Sequence, residues 1–215
     1  MTNLFTVFDP CTGVFSMNWL STFFFLFYFP YSYWFYGSKF SMVFYNVLFF
    51  LFREVCSLTL YFNSILFMLS LFFFVLVINL VGLIPYVFTS SSHLVFSLGL
   101  SLFFWLGLMV FGWFNNFNHM FIHMVPIGTP YMLMPFMVVI ETISNFIRPI
   151  SLAVRLSANM IAGHLLMSLL GSSTLSSFFL FFFFVYLIIF LFELAVSFIQ
   201  SYVFMTLGVL YSSEV

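Results

Sequence analysis

Long apolar stretches follow one another along this 215-residue chain, and polar or turn-forming residues close each of them. A stretch of about 20 apolar residues is long enough to cross the hydrocarbon core of a bilayer as a helix. The pattern predicts five such crossings, at residues 14–36, 62–84, 93–114, 132–170 and 176–212. The predicted fold is therefore an all-α membrane protein that forms one integral membrane domain over residues 1–215.

Two segments between the crossings have different patterns. Residues 40–54 are mostly apolar but are enclosed by Lys39 and the pair Arg53 and Glu54. So short an apolar segment favours an amphipathic helix that lies in the membrane interface. Residues 115–130 include the turn-rich sequences NNFNH and PIGTP, which predict a loop outside the hydrocarbon.

The last two predicted helices are unusually long. No proline follows Pro149, and the main interruption is the segment GSSTLSS at residues 171–177. A helix of about 36 residues is about 54 Å long, whereas the hydrocarbon core is about 30 Å thick. Such an apolar hairpin should lie strongly tilted, about 55° from the membrane normal. The alternative is a kink at Pro149 that splits the first of the two helices.

Composition and charge narrow the class of protein further. The chain is 65% hydrophobic and only 4% charged, whereas soluble domains have about 25% charged residues. Its net charge of −1 gives no basic patch for a nucleic acid. Cys11 and Cys56 lack CxxC spacing, so the sequence predicts neither a disulfide framework nor a metal site at these residues. Lys39 and Arg53 favour a matrix or cytoplasmic location for the connection between the first two crossings.

Arg155 is the most unusual charged residue, because it lies in the apolar segment SLAVRLSANMIAGHLLMSLLG. Its guanidinium stays protonated, and placing it at bilayer depth costs roughly 2.5 to 17 kcal/mol. A cost of this size indicates a function. The alternatives are an arginine that snorkels to the headgroups and one that is neutralised by a structural carboxylate.

Other polar residues recur at helical spacing around Arg155. Asn159, Arg148 and Glu141 fall on the same predicted helix face as Arg155, whereas His164 faces the opposite side. The i, i+7 spacing of Glu141 and Arg148 makes an ion pair between them possible, and we assign Arg148 a structural role.

On the last predicted helix, Glu193 and Gln200 are seven residues apart and share one stripe with Ser197. A carboxyl group surrounded by lipid favours its neutral form, and a histidine titrates near physiological pH. Glu193 and His164 are therefore typical of a proton relay. The alternative is a buried hydrogen bond between them that serves packing alone.

The remaining sequence signals for binding or catalysis are weak. His119 and His123 have the i, i+4 spacing of a metal or haem site, but no acid or thiol accompanies them, which favours ordinary loop histidines. The chain contains no GxGxxG, Walker-type or GxSxG motif. We therefore expect no catalytic site of its own, no cofactor and no bound metal.

Two long motifs in this sequence are similar to family signatures. The segments ETISNFIRPISLAVRLSANMIAGHLL and ELAVSFIQSYVF resemble the central and C-terminal signatures of the subunit a family of rotary F-type ATP synthases. Shorter matches are NLVGLIPYVFTSSSHL, PIGTP and the arthropod-like end LYSSEV. The resemblance covers essentially the whole chain. Bacterial relatives have the acid and the histidine exchanged between the positions of His164 and Glu193, so the order here favours a multi-pass protein of the mitochondrial inner membrane.

The resemblance implies a proton-conducting stator subunit of the ATP synthase. In that family, two offset half-channels pass protons to and from the carboxylates of a ring of c subunits, and the ring rotates to drive ATP synthesis. Arg155 would be the fixed cation that faces the ring. The implied inlet from the intermembrane space contains His164, Glu193, Asn159, Gln200 and Asn79, and the implied matrix-side exit contains Glu141 and Ser151. The implied partners are the c-subunit ring, the peripheral stalk, other membrane subunits and the lipid bilayer.

Two other functions are kept as alternatives. A hydrophobic subunit of a respiratory complex could use its histidines for haem or quinone, but would need paired histidines on facing helices. A self-contained proton channel or transporter would be expected to have internal repeats and helices broken within the membrane.

Overall fold

The computed structural model describes residues 4–11, 17–24, 26, 37–58, 62–125, 128, 130–173 and 179–214. The α-helices in these segments are α1 (Lys39–Leu58), α2 (Phe62–Gly82), α3 (Leu94–Asn115), α4 (Phe117–His123), α5 (Met134–Ser173) and α6 (Phe179–Glu214). Short 3-10 helices occur at Leu4–Phe8, Met17–Phe24, Ser90–Ser92 and Tyr131–Leu133. No residue in these segments belongs to a β-strand.

The prediction of an all-α membrane protein is confirmed. Helices α1, α2, α3, α5 and α6 are each long and apolar enough to cross a membrane. This set of five differs from the predicted set, because it contains α1. The predicted crossing at residues 14–36 lies mostly outside the described residues.

Within that predicted crossing, Met17–Phe24 forms a 3-10 helix, and Leu26 is α-helical. Polar side chains of the 3-10 helix bond to main-chain carbonyl groups. The Thr22 hydroxyl donates to the Trp19 carbonyl at 2.8 Å, and the Ser21 hydroxyl donates to the Phe88 carbonyl at 3.2 Å. The second of these bonds joins this segment to the turn between α2 and α3.

Two predicted segments have more helix than expected. Helix α1 contains 20 residues, so it is longer than the amphipathic segment predicted at residues 40–54. Its placement in the membrane interface stays a prediction. The predicted loop at residues 115–130 contains the seven-residue helix α4. Its Phe117 and Phe121 pack against Trp113 of α3 at ring distances of 5.4 and 5.1 Å.

The long C-terminal hairpin consists of α5 with 40 residues and α6 with 36. Pro149 lies inside α5, and the helix continues through it, so the helix is not split at this proline. At 1.5 Å per residue, the two helices are about 60 and 54 Å long. Their tilt in the membrane stays a prediction.

Helix α2 lies at the centre of the bundle. In its apolar span 61% of the residues are buried, against 11% in the spans of α3 and α6, so the outer helices leave large apolar surfaces for lipid or partner subunits. Close contact between helices depends on small residues. Ser157 on α5 and Ser197 and Ser201 on α6 are fully buried, and each hydroxyl donates to a carbonyl of its own helix.

Candidate functional site

The carboxyl group of Glu193 on α6 packs against the backbone of α5 at Gly163. A Cβ atom added to Gly163 would lie 2.6 Å from Cδ of Glu193, so only glycine leaves room for the acid. Glu193 is 9% exposed, and neither carboxyl oxygen has a hydrogen-bond partner among the described residues. The predicted alternative of a hydrogen bond between Glu193 and His164 that serves packing alone is therefore wrong.

His164 directly follows Gly163 and is half-buried. Its ring lies edge-on to Phe8 at 6.3 Å, and its Nε2 atom is buried without a described partner. Asn79 on α2 is 1% exposed, and both polar atoms of its amide also lack a partner among the described residues. Buried polar atoms in this state are commonly satisfied by water. This end of the bundle is therefore suited to hold water and pass protons.

Arg155 lies on the exposed surface of α5, beside Gln200 of α6. The two residues share a narrow crevice whose walls are Leu152, Leu156, Val203 and Phe204. Within the described part of the chain, the Arg155 guanidinium makes no ion pair. No described carboxylate of its own chain neutralises it, and this argues against the structural ion pair considered from the sequence. Asn159, one turn further along α5, is half-buried.

Helices α5 and α6 fix the distance between Arg155 and the carboxyl group of Glu193. Gly163 meets Glu193, and Arg155 meets Gln200, so the helices run antiparallel in one continuous register. Eight residues separate Arg155 from Gly163, which corresponds to about 12 Å along the helix axis. The acid and the cation therefore occupy different depths of the bundle. His164 is half-buried and Arg155 is exposed, which agrees with the prediction that they face opposite sides of the helix.

A second polar site lies at the opposite end of α5. The Arg148 guanidinium is 4.0 Å from the Glu141 carboxylate and lies over the ring of Tyr211 at 5.0 Å from its centroid. These three residues line a cavity of about 490 Å³ together with Trp105, Trp113 and Met120 among others. Fourteen residues separate Glu141 from Arg155, or about 21 Å of helix. The Ser151 hydroxyl is exposed and donates to the Arg148 carbonyl at 2.9 Å, and it does not line this cavity.

Comparison with known proteins places this arrangement in one family. Residues 14–213 match the family described as ATP synthase A chain. The chain belongs to the ATP synthase A chain family. It is 50% identical to ATP synthase subunit a of Anopheles gambiae over 224 residues, covering 100% of this chain and 99% of the relative. The corresponding proteins of Drosophila melanogaster and Aedes aegypti are 50% and 49% identical, with the same coverage.

Membership of the ATP synthase A chain family makes the protein a proton-conducting stator subunit of an F-type ATP synthase and a component of that membrane complex. The family resemblance inferred from the sequence is confirmed. The two alternatives, a respiratory-complex subunit and a self-contained proton channel, are set aside by this membership.

Sequence reasoning missed several residues that shape the two polar sites of this ATP synthase A chain member. Gly163 is a glycine within a helix, next to His164. A glycine at such a position could have indicated that another helix approaches closely there. Tyr211 and Trp105 gave no sequence signal, since aromatic residues are frequent along the whole chain. The pair His119 and His123 lies on α4, and no group of three or more metal-binding side chains occurs among the described residues.

Proposed function

We propose that Arg155 is the fixed cation past which the carboxylates of a c-subunit ring move. The supporting observation is its position, on the exposed surface of an apolar helix and without an ion pair among the described residues. A guanidinium in lipid is costly unless a negative charge compensates for it. A partner that presents carboxylates at bilayer depth supplies that charge.

We further propose that the two polar sites form the ends of two half-channels. His164, Glu193, Asn159, Gln200 and Asn79 line the inlet from the intermembrane space. Glu141 and its cavity, with Ser151 nearer to Arg155, form the exit toward the matrix. Arg155 lies between the two sites along α5, about 12 Å from one and 21 Å from the other. This order supports a path in which protons reach the ring on one side of the cation and leave on the other.

The role of Arg155 follows from electrostatics. A fixed positive charge favours the deprotonated form of a ring carboxylate beside it, so a carboxyl group must release its proton before it can pass. The guanidinium thereby prevents protons from leaking between the half-channels. A membrane potential of about 150 mV supplies roughly 3.5 kcal/mol for each proton that crosses, which biases the direction of rotation when successive steps add up.

The setting that fits this role is the mitochondrial inner membrane. Lys39 and Arg53 favour the matrix side for the segment before α2, which places the turn between α2 and α3 and the His164 end of α5 toward the intermembrane space. The strongly tilted hairpin of α5 and α6 lies against the ring. The other apolar surfaces contact lipid, the peripheral stalk and other membrane subunits of the synthase.

Replacement of Arg155 tests the proposal most directly. In the intact complex in sealed vesicles, Arg155→Ala should abolish ATP-driven proton pumping, while ATP hydrolysis by the catalytic head persists after uncoupling. Arg53→Ala is the matched control, because Arg53 is an exposed arginine that lies over the ring of Phe49 on α1 and outside both polar sites. Pumping that survives Arg155→Ala at the level of the control would refute the assigned role.

A further inference from the structure

Buried polar atoms that lack a partner are concentrated at one end of the helix bundle. Among the described residues there are eight such side-chain atoms, and only Nε1 of Trp105 lies away from this end. The other seven belong to Asn79, Ser91, His93, His164 and Glu193. A partnerless buried polar atom is costly in an apolar surrounding, and water is its common partner. Ser91 and His93 therefore have the same property as the proposed inlet residues, although no role has yet been given to them.

The turn that carries Ser91 and His93 lies against the inlet. Its 3-10 segment, Ser90–Ser92, packs on α2, α3 and α5. At Gly82, an added Cβ would lie 3.3 Å from Cγ2 of Thr89 and 3.4 Å from Cε of Met160, so the turn, α2 and α5 meet there. Asn79 is about one helical turn from Gly82, and His164 is about one turn from Met160. The turn is thus adjacent to the polar groups of both helices.

Hydrogen bonds within the turn separate its structural residues from the others. The hydroxyl groups of Thr89 and Ser92 are 3.0 Å apart, and the Ser92 hydroxyl donates to the Thr89 carbonyl at 2.7 Å. The hydroxyl of Ser91 is equally buried but has no partner among the described residues. Ser92 therefore stabilises the turn, whereas the Ser91 hydroxyl is left to bind water.

His93 connects this buried group to the outside. The imidazole packs between Trp19, at 5.4 Å, and Phe88, at 5.1 Å, which fixes the ring. The residue as a whole is half-buried, while its Nε2 atom is buried without a described partner. Part of the residue thus reaches the surface, whereas its Nε2 atom does not.

We propose that Ser91 and His93 line the outer part of the proton inlet, so that hydrogen-bonded water connects this turn with the polar groups of Glu193, His164 and Asn79. This inference rests on the proton-conducting function proposed above. A proton that enters such a chain of water releases another at the far end, so neither side chain has to retain a charge. The inlet opens beside the turn between α2 and α3, and Phe8 covers His164 on another side.

Accessibility to a thiol reagent tests the position of the inlet. Ser91→Cys is introduced into the complete synthase after Cys11 and Cys56, both exposed, are replaced by serine. A small charged methanethiosulfonate applied from the intermembrane-space side should modify Ser91→Cys and block proton-driven ATP synthesis. The matched control is Ser97→Cys, since Ser97 is also buried but donates to the Leu94 carbonyl at 3.2 Å. Equal reactivity at the two positions, or no reaction at Ser91→Cys, overturns the proposal.

Proton flux separates a lining role from a structural one. Ser91→Val and His93→Leu should each lower the flux about tenfold, the factor expected when a hydrogen bond in a buried path is lost. Ser91→Thr and His93→Gln should restore most of it, because they keep a hydrogen-bonding group. The proposal is rejected if Ser91→Val conducts normally while His164→Leu does not, and in that case the inlet lies elsewhere. If both His164→Leu and Arg155→Ala leave pumping intact, the proposed function itself fails.

Discussion

The carboxyl group of Glu193 lies directly on the backbone of Gly163, in the position that any side chain at that residue would occupy. The absence of a side chain on α5 therefore lets the acid lie against the residue that precedes His164. The acid and the histidine come from different helices, and the glycine between α5 and α6 is the structural reason that they can belong to one inlet.

The first prediction concerns Gly163→Ala. Alanine favours a helix over glycine by up to about 1 kcal/mol, but its methyl group displaces the Glu193 carboxyl group. Because a misplacement of about 1 Å can lower a rate by about 100-fold, we expect proton pumping to fall by about ten- to hundredfold. Pumping is measured in sealed vesicles at matched levels of assembled complex. Gly107→Ala is the control, since an added Cβ there meets no described atom within 4 Å. Normal pumping by Gly163→Ala would contradict the assignment of Glu193 to the inlet.

The second prediction concerns the sidedness of the two polar sites. His164→Leu removes a proton-accepting group at one end of α5, and Glu141→Gln removes one at the other end. We expect the rate of ATP synthesis to become more sensitive to pH on the intermembrane-space side in the first variant and on the matrix side in the second. The measurement varies the pH of one compartment at a time. If His164→Leu changes the response to both compartments equally, the two sites do not belong to separate half-channels.

The third prediction concerns the stability of the Glu141 site. The side chains of Arg148 and Glu141 are 27% and 38% exposed, so solvent screens their ion pair at 4.0 Å. Such a pair contributes no more than about 1 kcal/mol, and the contact of Arg148 with Tyr211 adds a similar amount at most. Arg148→Gln should therefore lower the free energy of unfolding by less than about 2 kcal/mol. Thermal unfolding of the purified complex checks this value, and a loss above 4 kcal/mol, roughly what breaking a fully buried pair costs, would show that the pair is not screened.

The fourth prediction concerns packing between α6 and its neighbours. An added Cβ at Gly208 would lie 3.2 Å from Sδ of Met68 and equally close to two ring atoms of Phe104, which is tighter than ordinary contact. Met68 and Phe104 are buried, so the neighbours have little room to move. We expect Gly208→Ala to destabilise the fold by about 1 to 3 kcal/mol. The yield of assembled complex and its melting temperature are compared with Gly99→Ala, whose added Cβ meets no described atom within 4 Å. Equal stability of the two variants would disprove tight packing at Gly208.

Hydrophobic patterning predicted the apolar helices well where each is long and closed by turn residues. Helix α2 begins at Phe62 as predicted and ends at Gly82, two residues before the predicted end. Helix α3 likewise departs from its predicted limits by one residue at each end. At residues 17–24 the apolar pattern does not distinguish the observed 3-10 helix from an α-helix, and the crossing predicted at residues 14–36 stays a prediction. Patterning missed α4, whose packing depends on aromatic contacts between neighbouring segments.

For the candidate site, too, the sequence identified some features and could not reveal others. Single-residue chemistry marked Arg155, Glu193 and His164, because charged or titratable groups are exceptional in an apolar sequence. Relations between helices could not be read from the sequence. The match of Gly163 with Glu193 and the approach of Tyr211 to Arg148 both depend on the register of α5 against α6, which is fixed by side-chain packing along the whole hairpin. That the Ser91 hydroxyl has no partner among the described residues could be seen only in the folded turn.

The continuous register of α5 and α6 also fixes the distance between their two polar contacts. The point at which an acid meets Gly163 and the point at which Arg155 meets Gln200 are separated by eight residues of one uninterrupted helix, or about 12 Å. Neighbouring helices in a packed ring stand about 8 to 10 Å apart. In the proposed mechanism, with the hairpin tilted as predicted, the spacing between ring helices is therefore comparable to the distance along α5 from the Glu193 contact to Arg155. The uninterrupted helix keeps these two positions at a constant separation.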